Sequence, residues 1–285
     1  MSGSKTFLLG VGAQKCGTSW LHDYLGGHPS CDMGIVKEYH VLDALYVPHC
    51  ADFLTRVVKR LGQPDRKPNI GDQERVDFCR DLNSYYDYFG GLLAQDGITV
   101  TGDLTPSYSM VPAAGMARIK AGLAERGVQT RVLFLMRDPF ERIWSQVRMA
   151  RREARNGRAR QSMLQRTEAG QIAKSYDSLH NEARTKYDRT LRAMDQVFDR
   201  SEMLVGFYEE MFRPEFVRSV TDFLGIDYVT PDFGKQVNPS AKTDDLPQDL
   251  KATIAAHYAG TYNFVADRFG ADRLAGIWEG YRLLS

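Results

Sequence analysis

A chain of 285 residues, 43% hydrophobic and 26% charged, is long enough to bury one sizeable core and excludes a disordered or fibrous protein. Its formal net charge of +1 excludes a protein built to coat nucleic acid. The sequence has no run near the roughly 18 apolar residues of a membrane span, no early signal-peptide pattern, and four scattered cysteines (Cys16, Cys31, Cys50, Cys79), which predicts a cytoplasmic protein without a disulfide framework or zinc site.

Residues 7–11 are apolar and read as a strand. Gly10, Gly12 and Gly17 then lead into an amphipathic segment carrying Trp20, Leu21, Tyr24 and Leu25. A strand, a tight loop and a helix start aim successive backbone N–H groups at one point, and the helix N-terminus adds positive partial charge. That is an anion site, most often for phosphate. Lys15 adds a full charge, and Thr18 and Ser19 add hydroxyl donors. Gly12 and Gly17 have the spacing of the P-loop pattern G-x-x-x-x-G-K-[ST], and Ser19 falls at its metal-binding hydroxyl. Thr18, however, occupies the lysine position, and the loop's lysine, Lys15, sits inside it.

Residues 26–29 (GGHP) stop the helix, and 31–36 read as a short strand. Lys37, Glu38, His40 and Asp43 follow in a K-E-x-H-x-x-D run just past that strand's end, where open α/β sheets bind ligands. A carboxylate or imidazole placed there can take a proton from a hydroxyl. Residues 47–61 read as one helix and 62–71 as loop. Residues 82–94 carry aromatic and apolar residues at mixed spacing; Tyr85, Tyr86 and Tyr88 could pack an acceptor, but read first as core and surface packing. Residues 98–102 are a third strand by their β-branched run. Asp103 follows its end in D-L-T-P-S-Y and is a second candidate base, or a turn cap.

Residues 113–125 are helical, and 131–136 (RVLFLM) make the nearly continuous apolar run of a central parallel strand. Arg137 ends that strand, and Pro139 suits the first turn of a helix. Ser145, two helical turns on from Arg137, can converge with it on one anion. Arg142 reads as a helix support or ion-pair partner. The six arginines of 148–160 could form a lid or a landing strip for an acidic acceptor, though most read as a solvated helix face, and 163–182 reads as a polar, mobile stretch. A helix over 187–198, a strand over 203–207 and a helix over 212–224 follow. Glu209 fixes the strand–helix junction between the last two. Helices over 250–258, 262–269 and 272–284 close the chain. The absence of repeats and linkers predicts a single domain over 1–285.

Residues 14–20, Q-K-C-G-T-S-W, resemble the 5′-phosphosulfate loop of the sulfotransferases that use 3′-phosphoadenosine 5′-phosphosulfate (PAPS). Residues 137–145 match that family's 3′-phosphate motif, R-[DN]-P-x-x-R-x-x-S. The run at 38–43 resembles the E-x-H-F-F-D segment of the heparan sulfate glucosaminyl 3-O-sulfotransferases. Residues 103–108 resemble their E-K-T-P-x-Y segment, with Leu104 where they carry a lysine. The resemblance covers residue 7 to about residue 243.

It implies an α/β fold: a P-loop-like three-layer sandwich with a mostly parallel central sheet and helices on both faces. It implies PAPS as co-substrate, leaving 3′,5′-ADP (PAP), held by Lys15, Cys16, Gly17, Thr18, Ser19, Trp20, Arg137 and Ser145. Lys15 would also stabilise charge on the leaving phosphate. Glu38 would be the catalytic base, with His40 orienting it or replacing it, and Lys37, Asp43 and Asp103 would face the acceptor. Lys242, within 237–243, stands where relatives place a loop over the 3′-phosphate. The implied acceptor is a hydroxyl-bearing saccharide or glycoconjugate. With Leu104 in place of lysine, either it is less negative than heparan sulfate or Lys37 or an arginine substitutes. No metal is implied. Two other readings stay open: a P-loop kinase using ATP–Mg, which Thr18 opposes, and a non-catalytic nucleotide-binding protein of the same fold.

Overall fold

The computed structural model describes residues 5–63, 67–157, 159–235 and 245–284. Five strands form one sheet: β1 (Thr6–Gly10), β2 (Cys31–Asp32), β3 (Val100–Leu104), β4 (Gln129–Met136) and β5 (Met203–Phe207). Their order is β2-β3-β1-β4-β5, and all four strand pairings are parallel. Parallel strands joined by helical crossovers are covered on both faces, so their residues must be apolar in unbroken runs. Phe7, Leu8 and Leu9 of β1 and Val132 through Met136 of β4 are accordingly 0% exposed. One contiguous core runs from Phe7 to Trp278.

Several elements depart from the sequence expectation, each for a local reason. β2 is two residues long, because the Asp32 carboxylate accepts the Gly34 amide at 2.9 Å and Gly34 turns at φ +74°. Residues 47–61 are not one helix. Val47 is extended ahead of Pro48, as a residue before proline prefers, and the helix runs Asp52–Leu61. A helix over Asp72–Arg80 had no counterpart in the reading. Residues 82–94 hold the helix Leu82–Leu93, capped by Asp81 accepting from Asn83 N at 2.9 Å. Its Phe89 ring meets Phe7 edge-on at 4.8 Å.

β3 starts two residues later than expected, so Asp103 and Leu104 lie inside the sheet, opposite Leu9 and Gly10. The polar stretch 163–182 folds into the helices Glu168–Ser175 and Leu179–Thr185. It packs on the helix Pro139–Arg155, where Trp144 Nε1 donates to Glu168 at 2.6 Å. The tail is two helices, Ala271–Ile277 and Glu279–Arg282, broken at buried Trp278. Trp278 Nε1 donates to Glu209 Oε2 at 3.0 Å, and Gly280 N donates to Asp138 Oδ2 at 2.8 Å. Both contacts tie the tail to the carboxyl ends of β4 and β5.

Candidate active site

The carboxyl ends of β1, β3 and β4 lead into segments that carry candidate residues. Beyond β1 the chain stays paired with β4 through Ala13, whose amide donates to Leu135 O at 2.6 Å. It then turns into the helix Thr18–Gly26. Gly17 caps that helix at φ +90°, and a Cβ there would overlap Sδ of Met211, so the turn demands glycine. Thr18 and Ser19 sit in the first turn, whose amides have no intrahelical acceptor. Trp20 is 4% exposed, with Phe233 stacked 6.1 Å away and Phe212 edge-on at 5.3 Å. Cys16 differs from the expected ligand role. It is wholly buried, its amide donates to Ala13 O at 3.3 Å, and burial pushes its thiol up to about 12. It has no surface to offer.

Among the described residues, two non-glycine residues take left-handed backbone conformations: Lys15 at φ +70° and His40 at φ +58°. Such residues cost on the order of 1–3 kcal/mol each and gather at functional sites. Both were singled out from the sequence on other grounds.

Arg137, directly after β4, ties the loops together. Its Nη2 donates to Glu141 at 2.9 Å and its Nη1 to Lys15 O at 3.4 Å. Its guanidinium lies 4.2 Å from the centroid of the Tyr208 ring. Its Nε is buried and has no partner among the described residues. A cavity of about 450 Å³ opens beside it, lined also by Glu141, Tyr208, Phe212, Ile277 and Arg282. Ser145 lies two turns further along the helix and is 8% exposed. Burial, then the charges of Arg152, Arg137, Arg148 and Lys37, lower the Lys15 ammonium to about 8. Cations gathered around Lys15 in this way attract anions, whereas the cavity beside Arg137 is lined by Asp138, Glu141, Glu209 and Glu279 as well as by Arg137 and Arg282.

Arg142 makes no ion pair with a carboxylate among the described residues. It is fully buried and donates to the amide oxygens of Gln146 at 2.7 Å and Asn181 at 2.6 Å. Lys242 lies outside the described residues.

Past β2, His40 stands between two carboxylates. Its Nε2 is 3.3 Å from Glu38 Oε2 and its Nδ1 is 2.8 Å from Asp43 Oδ2. Lys37 pairs with the other Glu38 oxygen. Ser107 donates to Asp43 at 2.5 Å, and Arg75 donates to the Glu38 carbonyl at 2.8 Å. Burial alone would raise the Glu38 carboxyl, but His40 and Lys37 outweigh it and hold it at about 2. Burial alone would lower His40, but Asp43 and Glu38 outweigh it and raise the imidazole to about 9. One third of the Glu38 side chain is exposed, whereas Asp43 is buried.

Asp103 does not reach the surface. It is 0% exposed and accepts from Thr105 at 2.6 Å, Tyr108 at 2.7 Å and Tyr85 at 3.1 Å. Burial raises its carboxyl to about 6. It acts through two hydroxyls: Thr105 accepts the Tyr39 amide at 3.0 Å, and Tyr108 accepts the Val41 amide at 3.0 Å. Leu104 is likewise 0% exposed, packed against Gly10.

Three residues near the site escaped the sequence reading. Asp138 is buried, accepts from Tyr262 at 2.5 Å and anchors the tail beside Arg137. His22 has a buried Nε2 without a hydrogen-bond partner among the described residues; burial and the Lys37 charge hold its imidazole at about 4. Arg148 faces Lys15. Its helical spacing from Ser145 was the one signal that could have found it.

No family model matches the chain, and no curated protein matches it in sequence. Among solved structures, a sulfotransferase from Alicyclobacillus acidocaldarius is similar over 93% of this chain and 95% of its own, with a TM-score of 0.61 and 23% identity. The sulfotransferase domain of the Synechococcus PCC 7002 olefin synthase aligns over 91% of this chain and 97% of its own, with a TM-score of 0.47 and 15% identity. The chain therefore shares the α/β fold of a solved sulfotransferase. Among the described residues, no helix is long and apolar enough to cross a membrane, and no group of three His, Cys, Asp or Glu is placed to hold a metal ion.

Proposed function

We propose that the chain is a single-domain sulfotransferase that moves a sulfuryl group from PAPS to a hydroxyl of a saccharide or glycoconjugate. The observation that carries this reading is the meeting of an internal-lysine phosphate loop with Arg137, through the 3.4 Å contact of Arg137 Nη1 with Lys15 O. In the reaction the sulfur–oxygen bond to the 5′-phosphate breaks, a new one forms to the acceptor oxygen, and the hydroxyl proton leaves to a base. Lys15, Thr18 and Ser19 hold the 5′ group, with Lys15 neutralising charge on the leaving oxygen. Arg137 and Ser145 hold the 3′-phosphate, and Trp20 backs the nucleotide. Glu38, the partly exposed carboxylate of the cluster, takes the proton. His40, charged between two carboxylates, orients Glu38 rather than replacing it. Asp43 steadies His40, and Lys37 balances charge between the two halves of the site.

Four free cysteines support a cytoplasmic location. Thr18, in place of the P-loop lysine, argues against the kinase reading. The test is transfer of label from ³⁵S-PAPS to a panel of saccharides and glycoconjugates. Label should reach an acceptor, and Lys15→Ala or Glu38→Gln should each slow transfer by about 10²–10³-fold. Transfer of phosphate from ATP–Mg would favour the kinase, and PAP binding without any transfer would favour a non-catalytic protein.

A further inference from the structure

The helix Pro139–Arg155 brings more to the site than its first turn. Glu141, Ser145, Arg148 and Arg152 are spaced four, three and four residues apart, which places them on one helical stripe. Arg148 is 7% exposed. Its Nε and Nη1 are buried and meet no hydrogen-bond partner among the described residues. Its guanidinium lies 5.1 Å from the centroid of the Trp144 ring, so packing holds the group in place without supplying an acceptor.

The charges around it do not answer it either. Burial lowers its basicity, the Glu141 field offsets part of that, and Arg137 lowers it further; Arg148 in turn helps depress Lys15. Glu141 and Glu168 are the acids whose fields reach it. Glu141 is engaged by Arg137 at 2.9 Å and Glu168 by Trp144 at 2.6 Å. A guanidinium carries five donors in a fixed fork, and leaving buried ones idle is unfavourable. The arrangement makes sense as a site prepared for an anion with several oxygens.

We propose that Arg148 is a further ligand of the nucleotide's anionic oxygens, donating from Nε and Nη1 on the helical face it shares with Ser145. This rests on reading the site as one for PAPS. The shared chemistry is a phosphate or sulfate oxygen, and the nucleotide's two ends are told apart by PAP, 5′-AMP and 3′-AMP as separate ligands.

The test pairs Arg148→Gln with Arg148→Lys, each measured by thermal unfolding without ligand and by calorimetric titration. Arg148→Gln should unfold no lower than the wild-type protein, because an unanswered buried charge is gone. It should bind PAP about 10- to 100-fold more weakly, the worth of charge-assisted hydrogen bonds. Arg148→Lys, which keeps the charge but loses the fork, should fall between the two. A folded variant of either kind that binds PAP as the wild-type protein does would overturn the proposal and leave Arg148 as packing for Trp144. If the wild-type protein does not bind PAP, the PAPS reading fails separately. Protection from unfolding by inorganic pyrophosphate, lost in Arg148→Gln, would still support the anion role; no such protection would end it.

Discussion

The hydroxyl of Tyr108 donates to Asp103 over 2.7 Å, and Asp103 is wholly enclosed. Because the Tyr108 hydroxyl donates to the carboxylate, its oxygen lone pair is left to accept the Val41 amide. Thr105 repeats the arrangement with Tyr39. The residues that carry Glu38, His40 and Asp43 are therefore hung from β3 by two hydroxyls that one buried acid orients. Tyr108→Phe removes a donor and an acceptor at once. It should cost about 1–3 kcal/mol of stability and lower kcat while leaving PAP affinity within a few-fold. Chemical denaturation and titration on the same preparation check this, and unchanged turnover would contradict it.

The His40 cluster sets a pH dependence. The imidazole is raised from 6.5 to about 9 by Asp43 and Glu38. A raised histidine contributes stability that is fully present below about 6.5 and is lost as pH rises through about 9. His40→Gln should flatten that decline. The difference between the two proteins' urea midpoints should shrink from pH 6 to pH 9.5. A constant difference would place the imidazole outside the carboxylate pair.

Lys15 gives the opposite signature. Its ammonium is lowered from 10.5 to about 8, so in the free protein it opposes folding when charged, and that penalty fades as pH rises from about 8 to 10.5. An anion in the loop restores the ammonium. PAP should therefore bind with proton uptake near pH 8 and weaken as pH rises above it. Calorimetry in two buffers of different ionisation enthalpy measures the uptake, which Lys15→Met should abolish.

Leu104 occupies the place of a lysine in the resembling enzymes but lies inside the sheet, 0% exposed against Gly10. Leu104→Lys would bury an unpaired ammonium. It should lower the unfolding midpoint sharply or prevent folding, rather than shift preference toward more anionic acceptors. A stable variant with such a shift would contradict the placement.

Much of the frame was legible because parallel strands wear their burial openly: 7–9 and 132–136 are apolar without a break. Lys15, Glu38, His40 and Arg137 stand out in the sequence because the proposed phosphate binding and proton transfer would need such groups past strand ends. β3 was misplaced by two residues because Asp103 reads as a breaker. It stays in the strand only because Tyr85, Thr105 and Tyr108 answer it. Cys16 read as a ligand from its motif, while the loop turns its side chain inward toward Tyr187. Arg148 was lost among six arginines, since a run of arginine reads the same buried or solvated. What distinguishes it is a helix more than twenty residues on, whose Glu168 fastens Trp144 beneath it.

The ligand we propose for the site is a nucleotide with anions at both ends. Calorimetric titration with PAP, with ATP–Mg and 5′-AMP as controls, decides it. PAP should bind at micromolar or tighter affinity, both controls far more weakly, and PAP binding should be lost in Arg137→Ala. Binding of ATP–Mg with none of PAP would contradict it and put the kinase reading first.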